Sequence, residues 1–355
     1  MPIPTVRRIR SVAIGTVIGV VLGAAVVATT PASAANRAQD EQVTLRLGYF
    51  PNVTHATAIV GVEGGLFEDK LGTGVKLELS TFNAGPAAVE ALFADALDAT
   101  YVGPNPAINA FAQSDGEAIR IISGATSGGA FLVVKPEITK VKDLKGKVIA
   151  SPQLGNTQDV ALRSYLKKKG LDTDTEGGGD VSIRPQDNAL TLQLFQSGDI
   201  DGAWVPQPWA ERLISEGGGK VLVDERDLWP AGKYVTTQLI VRTAYLDEHP
   251  DVVQKLLEGQ VAANDFVNSN RDVAENLVAS GIERATGKAI APELVKATFD
   301  TVTFTNDPIA SSLKKSAKDA VAVGLLEPVE LKGIYNLKLL NKVLKKAGQP
   351  TVSAK

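Results

Sequence analysis

Few side chains in this sequence can do covalent or metal chemistry. The chain of 355 residues has two histidines and no cysteine, which excludes disulfides, thiolate metal sites and thiol nucleophiles. A Gly-x-Ser-x-Gly nucleophile motif is absent, and Gly146-Lys147 is followed by Val148 instead of the hydroxyl residue of a phosphate-binding loop. We therefore expect a protein that is not an enzyme and that uses no metal and no cofactor.

Polar residues collect instead in loops that pair Gly or Pro with Asn, Thr or Gln. These loops lie at 51–55, 83–86 and 103–106 in the first half of the chain, and at 152–158, 187–188 and 206–209 further on. In open α/β sheets, ligands bind beyond the carboxyl ends of strands, where helix N-termini offer free N–H donors and a partial positive charge. The loops contain no cluster of Arg or Lys. They therefore favour a small anionic ligand that is held by neutral dipoles.

The residues predicted to contact this ligand come from both halves of the chain. They are Asn52, Thr54, His55, Asn83, Gly85, Tyr101, Gly103, Asn105, Ser127, Gly128, Asn156, Thr157, Gln158, Trp204, Gln207 and Trp209. Structural roles remain open for several of them. The pair Asn156-Thr157 also fits a helix cap, and the two tryptophans also fit core packing.

The elements that position these loops repeat along the chain at an offset of 103 residues. Residues 45–52 and 147–155 each predict a short strand and a loop that leads into a helix. Residues 89–102 and 192–205 each predict a helix, a tight turn and a strand. Helices between strands imply parallel pairing with right-handed crossovers. The repeat predicts two α/β lobes, although shared secondary structure alone also produces such matches.

Two apolar runs, 130–134 and 236–241, are predicted to carry the chain from one lobe to the other. The first lobe then comprises residues 43–132, and the second comprises 133–235. Residues 236–348 rejoin the first lobe, mainly as helices. The predicted fold is α/β, with two doubly wound lobes joined by a two-segment hinge.

The N-terminal residues have the composition of an export signal. Three arginines within residues 7–10 precede an uncharged stretch that ends in Ala32-Ser33-Ala34, a small-x-small cleavage pattern. Residues 1–34 are therefore expected to be a signal peptide, with a retained membrane anchor as the alternative. Without cysteine there is no lipid attachment site, so we expect a soluble, exported protein in the periplasm or another extracytoplasmic space. A net charge of −3 gives no reason to expect nucleic acid as a partner.

Several motifs belong together as a set. They are Gly48-Tyr49-Phe50-Pro51-Asn52 with His55-Ala56, Val102-Gly103-Pro104, Ser123-Gly124-Ala125 with Ser127-Gly128-Gly129, Leu144-Lys145-Gly146-Lys147, Gly155-Asn156-Thr157-Gln158-Asp159-Val160-Ala161-Leu162-Arg163, and Ala203-Trp204-Val205-Pro206 with Pro208-Trp209. This set resembles ABC-transporter substrate-binding proteins of the nitrate, sulfonate and taurine group. The resemblance implies the periplasmic-binding-protein type II fold, a ligand between the lobes, and a membrane permease with its cytoplasmic ATPase as partners.

Within that group the sequence is most similar to aliphatic-sulfonate binders. Gln207 stands where similar proteins often have Glu, and a neutral amide cannot neutralise the ammonium of a taurine-like zwitterion. We therefore expect a monomer that binds an alkane- or arylsulfonate, with the sulfonate oxygens near Thr54, His55 and Asn156-Thr157. Tyr101, Trp204 and Trp209 are expected to flank the tail of the ligand while the lobes close over it.

Three alternatives remain open at this stage. The same scaffold also binds nitrate, taurine or pyrimidine precursors. Enzymes of the pyrimidine-forming type share it too and use a histidine in the cleft. A sensory domain would keep the N-terminal segment as an anchor.

Overall fold

The computed structural model describes residues 42–354, so the predicted signal peptide at 1–34 lies outside the described residues. The strands are β1 Val43–Tyr49, β2 Val75–Thr81, β3 Ala99–Val102, β4 Ile119–Gly128, β5 Ala130–Val134, β6 Val148–Ser151, β7 Ser182–Pro185, β8 Gly202–Pro206, β9 Lys220–Asp224, β10 Val235–Arg242 and β11 Val302–Phe304. The α-helices are α1 Ala56–Glu63, α2 Leu66–Leu71, α3 Gly85–Phe93, α4 Pro104–Gln113, α5 Thr157–Lys168, α6 Asn188–Ser197, α7 Trp209–Ser215, α8 Thr243–Glu248, α9 Pro250–Ser269, α10 Arg271–Thr286, α11 Pro292–Phe299, α12 Ala310–Ala322 and α13 Lys338–Lys346.

The strands form two sheets. The first has the order β11-β4-β10-β3-β1-β2, and the second has the order β7-β6-β8-β5-β9. In the first sheet β2, β1 and β3 are parallel, and in the second β7, β6 and β8 are parallel in the same relative order. This equivalence is the structural basis of the sequence repeat. The predicted fold of two doubly wound α/β lobes is confirmed.

Each sheet carries a hydrophobic core on both of its faces. Strand β5 shows the pattern: Phe131 and Val133 pack into one core of the second lobe, while Leu132 and Val134 pack into the other. Successive side chains of a strand point to opposite faces, so a strand buried on both sides becomes a continuous apolar run. The run at 130–134 is therefore an internal strand of the second sheet.

The chain changes sheets at Gly129, between β4 and β5. Gly128 and Gly129 have φ angles of +82° and +77°, a left-handed conformation that favours glycine. This turn lies ahead of the predicted boundary at 132/133, because residues 130–132 already belong to the second sheet. The return segment is 225–234, and β10 opens in the first sheet at Val235.

Residues after β10 complete the first lobe, mainly as helices. Helices α8 to α13 lie in this part of the chain, as expected. Helix α9 packs its buried face against α1 and α2, which anchors the first strand and the loop that follows it. Within residues 42–354, no helix combines the length and hydropathy that a membrane crossing requires.

Candidate functional site

Loops from both lobes enclose a small polar cavity of about 20 Å³. An internal space of this size holds about one water molecule. The lining residues are Phe50, Asn52, Thr54, His55, Asn83, Gly103, Pro152, Asn156, Thr157, Gln158, Asn188, Pro206, Thr236 and Thr237. Among these described residues there is no Asp, Glu, Lys or Arg.

Many of the predicted contact residues meet at this cavity. The structure brings together Asn52, Thr54, His55, Asn83, Gly103, Asn156, Thr157 and Gln158. Sequence reasoning missed Thr236 and Thr237, which open β10 where the chain returns to the first lobe. The sequence could have indicated these two residues, because two hydroxyl side chains begin the apolar run that was predicted to carry the chain back to the first lobe.

Three helices begin at or beside the cavity: α4 after Gly103, α5 after Asn156, and α6 at Asn188. Within the described part of the chain, none of the three has a side-chain hydrogen bond from its N-cap residue. Asn156 occupies the N-cap position of α5, as one reading of the sequence allowed, but its side chain makes no capping hydrogen bond. The first-turn N–H groups of a helix lack intrahelical partners and carry a partial positive charge, so these helix starts suit an anion.

His55 is neutral in this environment. Complete burial lowers the pKa of its imidazole to about 3. The backbone N–H of Phe50 donates to His55 Nδ1 at 3.3 Å, and the two rings stack with centroids 4.3 Å apart. Since Nδ1 accepts, the single proton of the neutral ring resides on Nε2. His55 therefore offers the cavity a neutral N–H donor.

Buried polar atoms without partners also converge here. Thr157 Oγ1, Asn188 Oδ1 and Thr237 Oγ1 have no hydrogen-bond partner within residues 42–354. Leaving such groups unpaired costs about 1–3 kcal/mol each, and most buried polar atoms avoid it. The amide of Asn188 presents either its oxygen or its NH₂ after a half-turn of the end group. Their meeting at one cavity indicates a place for a polar guest.

A buried ion pair fixes the loop between β6 and α5. Asp159 accepts hydrogen bonds from Ser151 Oγ at 2.7 Å and from the N–H of Gly155 at 2.9 Å. Arg163, one turn later on α5, donates to both oxygens of the same carboxylate. Because Asp159 and Arg163 are almost fully buried, this network holds the start of α5 rigidly at the cavity.

The two lobes are closed on each other around the cavity. Trp209 Nε1 of the second lobe donates to Asn52 Oδ1 of the first at 2.9 Å. Gly103 lies so close to Thr157 that a Cβ on this glycine would be 2.2 Å from Thr157 Oγ1. The nearest neighbour of a Cβ on Gly85 would be Pro106 Cγ of the same lobe, at 2.1 Å. Glycine at position 103 lets the first lobe approach the start of α5.

A model of the NMT1-like family matches residues 38–281. The chain belongs to the NMT1-like family. A relative, the taurine-binding periplasmic protein of Escherichia coli, is 29% identical over 201 residues, which cover 57% of this chain and 60% of that protein. The resemblance to the nitrate, sulfonate and taurine group is confirmed.

Two solved structures share the fold of this NMT1-like chain. The alkanesulfonate-binding protein of Xanthomonas axonopodis, bound to MOPS, matches with a TM-score of 0.66 at 21% identity over 81% of this chain and 95% of the other. The ligand-binding component of an ABC-type import system from Staphylococcus aureus matches with a TM-score of 0.70 at 17% identity over 85% and 99%. At this identity the likeness concerns the fold, and it confirms the periplasmic-binding-protein architecture.

Two aromatic residues predicted at the site lie in the cores of the NMT1-like chain. The Tyr101 hydroxyl donates to Gln260 Oε1 inside the first lobe. Trp204 Nε1 donates to Glu225 Oε2 at 2.8 Å inside the second lobe. Both side chains are completely buried, and they lie in the hydrophobic cores of their lobes. The prediction that they flank a ligand tail is corrected, because alternation along a strand directs them into the sheet face. Trp209 ties the lobes together and does not line the cavity.

Ser127 and Gly128 belong to the hinge. Ser127 Oγ accepts from the N–H of Tyr234 at 3.3 Å, and the Gly128 carbonyl accepts from Thr236 Oγ1 at 2.6 Å. These bonds join the outgoing segment to the returning one. Both residues therefore act on the lobe connection and lie outside the polar cavity.

Gln207 and Asn105 also lie outside the cavity lining. Gln207 Oε1 accepts from the N–H of Glu211 and so caps α7, while Asn105 Nδ2 donates to the carbonyl of Ser316. The sequence argument against a zwitterion therefore loses its basis at Gln207. Among residues 42–354, no three or more His, Cys, Asp or Glu side chains group as a metal site would require.

Proposed function

We propose that this protein is the extracytoplasmic solute-binding component of an ABC importer, and that it captures a small organic anion between its lobes. The observation that carries the proposal is the cavity enclosed by both lobes, lined by neutral donors and by buried polar atoms without partners. In such a lining, fixed dipoles of the protein replace the water molecules that hydrate the anion in solution. A membrane permease with its cytoplasmic ATPase would receive the ligand when the lobes reopen.

An aliphatic or aryl sulfonate is the ligand class that the donors of the site support best, and the lobes would have to stand further apart than in this structure to admit its head group. Its one charge is spread over three oxygens, and the surroundings offer hydroxyl, amide, imidazole and helix N–H donors on several sides. No carboxylate among the described lining residues could pair with the ammonium of taurine. The relative bound to MOPS is consistent with this class.

Nitrate is the second candidate, favoured by the small volume of the cavity. Calorimetry of the purified protein with methanesulfonate, benzenesulfonate, taurine and nitrate separates the candidates. We expect 1:1 binding of the sulfonates and weak or no heat with taurine. Heat with nitrate alone would exclude the sulfonates, and no heat with any anion would overturn the proposed function.

An enzymatic role is the less favoured function. A group whose pKa is about 3 is a weak base near neutral pH, so His55 is poorly suited to proton abstraction. Turnover of a bound pyrimidine precursor by the purified protein would reverse this preference. Export is tested separately, by sequencing the N-terminus of the protein recovered from its host, which we expect to begin after Ala34.

A further inference from the structure

A second cavity of about 380 Å³ lies on the seam between the lobes. One of its walls is a single face of α5. The α5 residues that line it are Thr157, Val160, Ala161, Ser164, Tyr165 and Lys168. Spacings of three and four residues place these side chains in one stripe along the helix. The opposite wall comes from α12 and from the return segment 225–235.

The seam cavity and the polar cavity share one residue, Thr157. A helix rises ~1.5 Å per residue, so Ser164 lies roughly 10 Å further along the axis of α5. A guest whose anionic group sits at the start of α5 would extend along this face. The remainder of such a molecule would enter the seam cavity.

Ser164 contributes a buried hydroxyl group to the lining of the seam cavity. Its side chain is 3% exposed, and its Oγ has no hydrogen-bond partner within the described residues. Buried hydroxyl groups are normally paired. The apolar part of the wall includes Val160, Ala161, Leu228 and Val235, and the hydroxyl of Tyr234 is a second buried polar atom without a partner in the lining. The cavity therefore suits a partly apolar body that carries hydrogen-bonding atoms.

The charged groups of the seam differ in whether they have a countercharge. Asp319 of α12 accepts from Lys168 and from Lys315 at 2.8 Å each. Glu225 accepts only from the indole N–H groups of Trp204 and Trp229, at 2.8 and 3.4 Å, and forms no ion pair within residues 42–354. Burial raises the pKa of this carboxyl group to about 7, so the seam also offers a buried carboxyl group to the tail of a ligand.

We propose that the seam cavity is the subsite for the organic tail of the ligand. The protein then selects anions whose organic tail carries a hydrogen-bonding atom about 10 Å from the anionic group or nearer. The proposal rests on the proposed function and names its substrate class. Selection against bare anions follows, because a tail in the seam adds buried apolar surface that methanesulfonate lacks.

Calorimetry with three probes tests the subsite: methanesulfonate, benzenesulfonate and 4-hydroxybenzenesulfonate. In the unaltered protein we expect each aromatic probe to bind at least about tenfold more tightly than methanesulfonate. Ala161→Leu fills the seam and is expected to remove this advantage, with the affinity for methanesulfonate unchanged within about twofold. We also expect the unaltered protein to bind 4-hydroxybenzenesulfonate more tightly than benzenesulfonate. Ser164→Ala should abolish this difference and leave the affinity for benzenesulfonate unchanged.

Ala285→Leu makes the same substitution on α10, away from both cavities, and serves as the matched control. Thermal unfolding and methanesulfonate binding establish that each variant is folded. If the aromatic advantage persists in Ala161→Leu, or is missing from the unaltered protein, the tail subsite is overturned while the proposed function stands. If no sulfonate binds the unaltered protein, the proposed function fails, and the subsite fails with it.

Discussion

At the scale of single residues, the site depends on polar groups that the fold keeps neutral or unpaired. His55 keeps its proton on Nε2 because Phe50 N–H occupies Nδ1 and burial opposes a second proton. Thr157 and Asn188 are buried next to helix starts with polar atoms left free. Groups prepared in this way bind an anion without first breaking other hydrogen bonds.

The neutrality of His55 predicts how binding responds to pH. With a pKa of about 3, the imidazole stays uncharged from pH 5 to pH 8, so the affinity for methanesulfonate, which has no tail to reach Glu225 in the seam cavity, is expected to vary by less than about twofold over this range. Calorimetry at four pH values in that interval is the measurement. A histidine with an ordinary pKa of ~6.5 would gain a positive charge on acidification and strengthen anion binding. A tenfold rise in affinity towards pH 5 would contradict the neutral assignment.

The lowered pKa of His55 also makes the free energy of unfolding depend on pH. The pKa of His55 is lower in the folded protein than in the unfolded chain, so between about 6.5 and 3 the unfolded chain binds the extra proton. Stability therefore falls as the pH drops through this window, by at most ~1.4 kcal/mol per pH unit. Urea unfolding of the native protein and of His55→Gln at pH 7 and pH 5 checks the sign. The loss on acidification should be smaller in the variant, and an equal loss in both would contradict it.

The free hydroxyl of Thr157 predicts a loss of affinity without a loss of stability. In Thr157→Val the shape is kept, and the hydroxyl removed has no hydrogen-bond partner within residues 42–354. We expect binding of methanesulfonate to weaken about fivefold to thirtyfold, as for one buried hydrogen bond. Thr191→Val is the control, since Thr191 Oγ1 already accepts from Gln186 and lies outside the cavity lining. Unchanged affinity in Thr157→Val would remove this residue from the site.

At the scale of elements, the important unit is the loop and first turn of α5. The carboxylate of Asp159 gathers Ser151, Gly155 and Arg163 around one buried point, so the loop after β6 has one conformation. The hydrogen bonds of Asp159 fix the position of the α5 start, and with it the position of the α5 face that lines the seam cavity. Helix α5 therefore links the polar cavity with the seam cavity.

Breaking this anchor is expected to affect stability and binding together. Asp159→Asn leaves Arg163 buried without its countercharge, a change that costs about 3 kcal/mol or more. Urea unfolding measures the loss, and calorimetry should show weaker binding because the start of α5 is released. Glu216→Gln breaks the more exposed pair with Arg212 and should cost less than about 1 kcal/mol. Equal effects of the two substitutions would contradict the anchoring role.

At the scale of the whole molecule, the proposed function requires that the two lobes close over the ligand by bending at their connection. The connections are short: the chain leaves the first sheet at Gly129 and returns through 225–234. Ser127 and Gly128 accept hydrogen bonds from Tyr234 and Thr236, which join the two segments. Contacts that exist only between closed lobes set how strongly closure is favoured.

The hydrogen bond from Trp209 to Asn52 is one such contact. Trp209→Phe removes the donor but keeps an aromatic ring, over which the Arg212 guanidinium lies at 4.9 Å from the ring centre. We expect ligand dissociation to accelerate about fivefold, since one hydrogen bond of ~1 kcal/mol favours the closed form. Stopped-flow displacement measures this rate. Identical dissociation rates would mean that the bond does not stabilise closure.

The structure also explains which site residues were predictable. Loops at strand ends were found because Gly, Pro, Asn and Thr follow apolar runs at repeated positions. Tyr101 and Trp204 were misplaced because sequence spacing gives the strand but not which face its last side chains occupy. Asn105 was assigned to the polar cavity, whereas the turn of α4 directs it to Ser316 at the seam.

The sequence by itself determined the two lobes, their parallel strands and the uncharged character of the loops, because periodicity and composition record local burial directly. The tertiary structure alone decided which polar atoms remain unpaired, where the chain changes sheets, and that a seam cavity continues from the start of α5. Those features arise from contacts between residues far apart in the chain, such as Trp209 with Asn52. No local pattern encodes such contacts.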